Sequence, residues 1–374
     1  MDEARLLVSQ VLICIFYFRK EFVMSGKKGL AVVGYGGMGH WHCRHASTSD
    51  VVELKGIWDI DEKKCEAAVT DGLHAYSSYE DLLADPTVDI VTVAVPNDAH
   101  RPLCIQAMEA GKNVICEKPV TMSLAELKEM IDASRRTGKV FTTHQNRRWD
   151  ADFLMMKQVY DSGDLGEVFS IESRVQGSHG IPGDWRKEKA HGGGMLLDWG
   201  VHLIDQILQM VEGKKVSKLY CRFDHITNSE VDDGFKLDIF FEDGPVARVE
   251  VGTSNFISLP RYYMAGTNGS AIVRDWGKDC EVVCCKNWED KNVVPVVTAA
   301  GLTKTMAPRS KETQTEYSIP SEKRDVHDFY RNICLTIDGK AEQIVTHAQQ
   351  VRLIRVMEAC FESDRLGLPV KFED

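Results

Sequence analysis

Asp198, His202 and Asp205 punctuate an otherwise apolar stretch. It begins with Gly192-Gly193-Gly194 and runs on through Met195, Leu196, Val201, Leu203 and Ile204. Residues three and four apart share one face of an α-helix, so the spacing predicts a helix with these polar groups aligned. A carboxylate beside an imidazole can tune a proton acceptor near neutral pH. A capped helix with a core histidine is the plainer reading of the same residues. Asp198 and His202 also carry metal-ligating atoms, but two such groups without a clear third make a poor zinc site, and no metal is expected.

A second set of residues suits a nucleotide. Gly29 to Val33 reads as a strand running into Gly34-Tyr35-Gly36-Gly37-Met38-Gly39, a G-x-G-x-x-G loop that opens a helix. Gly34 permits the tight turn, Gly36 lets the backbone approach a pyrophosphate, and Gly39 allows close helix–strand packing, with free N–H groups at the helix N-terminus facing the phosphates. The strand Val52 to Trp58 ends at Asp59, twenty residues past Gly39. An acid there can bind both ribose hydroxyls of adenosine and repel a 2′-phosphate. Ile60-Asp61-Glu62 offers no cation for such a phosphate, so the reading is NAD over NADP.

The elements that must hold these groups alternate. Val88 to Val95 is nearly continuous apolar sequence, as a parallel strand buried on both faces should be. It ends at Pro96-Asn97, on the carboxyl edge where open α/β sheets bind ligands. A helix from His100 to Ala110 stops at Gly111. The strand Asn113 to Cys116 brings Glu117-Lys118-Pro119 to the same edge, where proline makes a cis bond possible. A helix over Ser123 to Thr137 and a strand from Val140 to Thr142 follow. After Trp149 the pattern changes to strands in series, near Val168–Val175, Lys218–Asp224, Phe235–Glu242, Ala247–Ser254, Tyr262–Ala265, Ala271–Asp275 and Glu281–Cys285, with turn signals such as Thr267-Asn268-Gly269 between them. This predicts an α/β protein: a doubly wound parallel sheet over residues 24–148, then an α/β domain with a large, mostly antiparallel sheet over 149–374. Apolar residues on both strand parities, as at Phe240-Phe241, suit a sheet whose outer face is covered. Residues 286–320 read as a polar, loop-rich insertion, and Val326–Thr336 and Ala341–Leu366 as helices.

Composition narrows the class. The 374 residues are 43% hydrophobic and 27% charged, ordinary for a globular protein of about two domains. A net charge of −11 without a basic stripe argues against a nucleic-acid surface. The eleven cysteines are scattered, with no C-x-x-C pair, which fits a reducing cytoplasm and core thiols. Residues 1–23 form an extension in which Leu6 to Phe18 is too short to span a bilayer. No small-residue cleavage site follows it, so it is expected to have little functional role, a weak membrane anchor being the lesser alternative.

Taken in order, Gly34-x-Gly36-x-x-Gly39, Pro96-Asn97-x-x-His100, Ala110-Gly111-Lys112 with Glu117-Lys118-Pro119, Asn146-Arg147-Arg148 and Gly193-Gly194-x-x-x-Asp198-x-Gly200-x-His202-x-x-Asp205 resemble the Gfo/Idh/MocA family, the relatives of glucose-fructose oxidoreductase and inositol 2-dehydrogenase. The resemblance covers Lys28 to the C-terminus, with Val95 as a departure where many members carry threonine. It implies NAD as cofactor, held by Gly34, Gly36, Gly37, Met38, Gly39, Asp59, Pro96, Asn97, His100, Glu117 and Lys118, with Trp185 and Arg186 at the nicotinamide end. It also implies a dimer or tetramer formed through the open sheet.

The chemistry that follows is oxidation of a secondary alcohol, which needs a hydride acceptor and a proton acceptor. His202 is the candidate general base. Lys118 near the alcohol oxygen would stabilise the developing alkoxide. Asp198 would hold substrate and orient the His–Lys pair, and the resemblance supports all three roles. His144, Asn146, Arg147 and Arg186 suit a polyhydroxyl ring at the mouth. Family members act mostly on sugars and inositols, so the expected substrate is a pyranoside oxidised at C3 of a glucosyl unit, with inositol as the runner-up. An NAD-dependent glycosidase that recycles its NADH and a catalytically silent ligand sensor are the other classes; the Lys118/Asp198/His202 set argues against the sensor.

Overall fold

A computed structural model describes residues 26–290 and 292–374. The expectation for residues 1–23 therefore lies outside the described residues. Strands β1 (Lys28–Val33), β2 (Val52–Trp58), β3 (Ile90–Val93), β4 (Asn113–Cys116) and β5 (Phe141–Thr143) form a parallel sheet in the order β2-β1-β3-β4-β5. Successive side chains point to opposite faces of a strand. Leu30 and Val32 pack with Cys43 and Ala46 of the helix Gly37–Thr48 on one face. Ala31 and Val33 join Met108, Leu127 and Met130 on the other. Both faces are covered, which is why these strands carry apolar residues without alternation.

Among the described residues the second sheet holds nine strands. These are β6 (Val168–Gln176), β7 (Val216–Asp224), β8 (Gly234–Phe241), β9 (Val246–Gly252), β10 (Tyr262–Gly266), β11 (Gly269–Val273) and β12 (Cys280–Cys285), with a small separate hairpin of β13 (Val296–Thr298) and β14 (Gly301–Thr303), then β15 (Gln314–Ile319) and β16 (Val370–Lys371). The order β15-β12-β11-β10-β6-β9-β8-β7-β16 is antiparallel except at β6–β9. Chain direction makes β6 and β7 parallel as well, so the segment between them is a crossover. A crossover needs a dozen or more residues and usually a helix packed on the sheet. Here it carries the helix Val201–Met210 across the inner face, where Phe235, Leu237, Ala247 and Val249 are buried.

Two expectations shift. The insertion at 286–320 contains β15, which pairs with β12 as an edge strand; its side chains are mostly exposed, so no apolar alternation announces it. The outer sheet face is also more polar than anticipated. Asp238 and Arg248 are register partners joined at 2.8 and 3.0 Å, and Arg174 reaches Glu250 at 3.3 Å. Phe241 is buried inside, whereas Phe240 lies outside beneath Lys218, 4.8 Å from its ring. The helix His327–Ile337, far along the chain, packs on the first sheet: Phe329, Tyr330 and Ile333 share a core with Leu30, Val52 and Ile90. Among the described residues no helix is long and apolar enough to cross a membrane.

Candidate active site

The glycine loop has the shape its sequence requires. Gly34 has φ +93°, and a Cβ there would collide with the Ala94 carbonyl. A Cβ on Gly39 would strike the Gly34 carbonyl, whereas one on Gly36 or Gly37 would meet nothing within 4 Å. The crowded glycines serve packing, and the open ones leave room for a ligand to approach the backbone. No side chain caps the helix Gly37–Thr48, so its N-terminus is available to an anion. Met38 flanks it, half-buried.

Asp59 accepts hydrogen bonds from Tyr35 N at 2.7 Å and Asp61 N at 2.9 Å. It thus braces the loop as well as closing the strand. A cavity of about 680 Å³ opens beside Asp59 and the 87% exposed Ile60. Lys64 Nζ lies 3.6 Å from Asp59, a cation just beyond Ile60-Asp61-Glu62. The set fits a dinucleotide: a backbone cradle uncrowded at Gly36 and Gly37, an uncapped helix start and an acid at the second strand end.

Asn97 is buried and donates to the Gly192 carbonyl at 2.9 Å, tying the first sheet's edge to the glycine run. Pro96 beside it is exposed. His100 is fully buried, its two ring nitrogens 3.0 Å from the Val95 and Pro119 carbonyls. It stands behind the cofactor wall and clamps the edge. Lys118–Pro119 is cis.

Glu117 likewise points inward. Its Oε1 accepts from His42 Nε2 and His144 Nδ1, both at 2.8 Å, and the Tyr330 hydroxyl lies 2.6 Å from His42 Nδ1. These three ligand-type residues keep their nitrogen and oxygen atoms within 4.8 Å of one another. Each atom used has a hydrogen-bond partner, so the cluster closes as a network. Burial acts to raise the Glu117 carboxyl, but His144 and His42 outweigh it and hold the group well below the carboxylate range. Burial pushes His42 down to about 4, leaving it neutral. His144 is therefore inside, behind Glu117, rather than at the mouth; its Nε2 is buried without a partner.

Lys118, Asp198 and Arg186 converge. Lys118 Nζ lies 3.0 Å from Asp198 Oδ1 and 2.9 Å from the Asp198 carbonyl, and Arg186 Nε lies 3.1 Å from Asp198 Oδ2. Burial acts to raise Asp198, yet the two cations prevail and keep it ionised below its ordinary value. Arg186 also pairs with Asp184 at 2.8 Å, and its guanidinium lies 4.7 Å from the Trp185 ring centre. A Cβ on Gly193 would collide with the Arg186 carbonyl, so the glycine run lets the Trp185-Arg186 loop close on the site.

The helix departs from the expected single face. Leu196–Gly200 is a π-helical turn and Val201–Met210 is α-helical. The wider turn separates the three polar residues: Asp198 faces Lys118, while Asp205 is buried in a bidentate pair with Arg148 at 2.6 and 2.7 Å. π turns recur at functional sites because they re-aim side chains. His202 is buried and makes no hydrogen bond to any described residue, its Nδ1 unpartnered. Burial first, then the nearby Lys118 and Arg147 charges, push it well below its usual range, so it is a neutral imidazole.

Asp232, unmarked by any motif in the sequence, seats this turn. Its Oδ2 accepts from Leu196 N at 2.7 Å and its carbonyl from Met195 N at 3.0 Å. Gly194, at φ +106°, has no room for a Cβ against it. Burial pushes Asp232 up to about 7. An aspartate in a polar loop between strands carries no sequence signal for this contact. Asn146 is half-buried, and Arg147 lines a separate cavity beyond Trp199.

A dinucleotide-binding parallel sheet joined to an open sheet, with a lysine–aspartate pair at their seam, defines a two-domain oxidoreductase fold. The description "Oxidoreductase family, NAD-binding Rossmann fold" matches residues 28–145, and "GFO/IDH/MocA C-terminal domain" matches residues 153–272. The chain belongs to the Gfo/Idh/MocA family and carries its NAD-binding domain. It is similar to the structure of an NAD-binding protein from Listeria innocua, with a TM-score of 0.89 and 45% identity, over 93% of this chain and 100% of that one. An uncharacterized oxidoreductase of Schizosaccharomyces pombe is 33% identical over 56% of this chain; the chain spans 59% of that protein's length. The NADP-dependent scyllo-inositol 2-dehydrogenase of Bacillus subtilis is 27% identical over 90% of this chain and 93% of its own length.

Proposed function

We propose that the protein moves a hydride between NAD and a secondary alcohol on the ring of a sugar, glycoside or inositol, the preferred substrate being a pyranoside oxidised at C3. The observation that carries this reading is the Lys118–Asp198 pair at 3.0 Å beside the neutral, unpartnered His202. NAD, held by the glycine loop, Asp59 and the Asn97 edge, supplies the hydride acceptor when bound. Lys118 Nζ donates toward the hydroxyl oxygen and favours the alkoxide. His202 takes the hydroxyl proton, for which a neutral imidazole is the competent form. Asp198 holds Lys118 in place at two atoms, and Arg186 completes its charge balance. This arrangement needs no metal. Inositol is the second substrate class, favoured by the likeness to the inositol dehydrogenase.

The same reading includes self-association through the outer face of the large sheet. It is supported by the half-exposed Phe240 there and by Arg248, whose side chain is 52% exposed on the same face. Light scattering on the purified chain measures it.

NADH fluorescence, followed while the enzyme meets inositols, free sugars and glucosides with excess NAD, tests the activity. A sustained rise with one class supports the dehydrogenase and names its ring. Aglycone release without NADH accumulation would replace it with a redox-recycling glycosidase. Tight NAD binding with no turnover in either direction would replace it with a sensor.

A further inference from the structure

A second cavity, of about 460 Å³, lies next to the catalytic turn but outside the reacting cluster. Met195 and Trp199, either side of Asp198 in the chain, form one wall; Gly177, Gly252 and Thr253 form another; Trp276 and Arg147 complete it. Lys118, Asn97 and His202 are not among its lining residues. The place follows from topology. Because β6 and β9 run parallel, their C-terminal ends emerge side by side at Gln176 and Gly252, and the cavity opens there.

Its chemistry is specific. The Trp199 and Trp276 ring centres are 6.2 Å apart at 55°. The Arg147 guanidinium lies 4.2 Å from the Trp199 ring centre and 5.6 Å from that of Trp276, and Arg261 lies 4.8 Å from Trp276. Trp276 is 45% exposed even so, with no core role to account for its size. Arg147 gives one hydrogen bond, to Asp150 at 2.9 Å, and its other N–H groups have no partner among the described residues. Among the described residues no carboxylate lines the space. Paired indoles offer large, rigid apolar surface for the flat face of a ring, and a guanidinium beside them gives directed donors to ring oxygens. Ligand pockets run from about 300 to 1,000 Å³, and this cavity falls within that range.

We infer that this cavity is a subsite for a second ring attached to the oxidised one, so that the substrate is a glycoside whose aglycone or neighbouring sugar presents an apolar face to Trp199 and Trp276. The inference rests on the reading that the reacting ring sits at Lys118, Asp198 and His202.

Calorimetric titration in the presence of NAD, with methyl glucoside, 4-nitrophenyl glucoside and cellobiose, tests it; both anomers of each glucoside are used, against the wild type and Trp276→Ala. The ring-bearing ligands should bind at least about tenfold more tightly than methyl glucoside. Trp276→Ala should remove that advantage and leave methyl glucoside binding and turnover unchanged. A stronger effect for 4-nitrophenyl glucoside marks an aryl aglycone, and one for cellobiose a second sugar; either supports the subsite. Equal affinity for methyl and ring-bearing ligands in the wild type overturns it, as does an equal loss for all in Trp276→Ala, or no binding by either ring-bearing ligand. Binding without NADH formation would remove the dehydrogenase reading while leaving the subsite decided by the affinities.

Discussion

Lys118 meets Asp198 twice, through the carboxylate at 3.0 Å and the backbone carbonyl at 2.9 Å. One residue from a strand end of the first sheet and one from a π turn on the second domain are thereby locked at the seam. Arg186 holds the other carboxylate oxygen at 3.1 Å, so Asp198 joins three segments.

His202→Ala is expected to lower turnover by roughly 10²–10⁴-fold, the usual contribution of a general base, with NAD affinity retained. Steady-state rates and an NAD titration measure the two. Near-full activity would remove His202 from the chemistry.

The pH dependence follows from the same residue. Burial and two cations depress His202, so it stays neutral well below pH 6.5. The acid limb of kcat/KM is expected below that value. A limb at or above 6.5 that disappears in His202→Ala would contradict it.

Asp198→Asn leaves Lys118 and Arg186 as two cations with no shared anion. Removing one partner of a buried ion pair costs about 3–5 kcal/mol. This site is partly open, and the backbone carbonyl still holds Lys118, so a loss of about 1–2 kcal/mol is expected. Turnover should fall more than stability does. Urea unfolding beside kinetics separates the two.

Gly36→Ala and Gly39→Ala should part company. A Cβ at Gly36 meets no atom, so the apo protein should keep its melting temperature while NAD affinity falls at least about tenfold, because the methyl enters the space the pyrophosphate needs. A Cβ at Gly39 meets backbone and should destabilise the apo fold as well. Unchanged NAD affinity in Gly36→Ala would displace the cofactor from this loop.

Asp232 has a folded-state pKa near 7, raised by burial from 3.8. An acid raised in this way binds protons in the fold that the unfolded chain has already released. Its contribution to stability is full below about pH 4 and is lost as pH rises through 7. Asp232→Asn removes this slope, so its melting temperature relative to wild type should climb between pH 5 and 8. A flat difference across that range would refute the assignment.

Much was legible in advance because local rules wrote it. The G-x-G-x-x-G loop, Asp59 at a strand end and the continuous apolar strands follow from turn sterics and two-sided burial, and each falls where its pattern indicated. Asn113–Cys116 matches to the residue. The edge strand β15 and the packing of His327–Ile337 on the first sheet were hidden, the first by an exposed face and the second by sequence distance.

The residue types of the site were set by sequence alone: a lysine before proline, an aspartate and histidine four apart, and a glycine run before them. Tertiary structure decided which of them meet. The π turn sends Asp198 to Lys118 and Arg186 and leaves Asp205 to Arg148, a choice that helical periodicity cannot make because it assumes one pitch throughout. Burial turned Glu117, His100 and His144 inward as braces. The parallel β6–β9 pair opened the tryptophan-lined cavity, since strand order is fixed by packing across the whole sheet and leaves no mark on either strand.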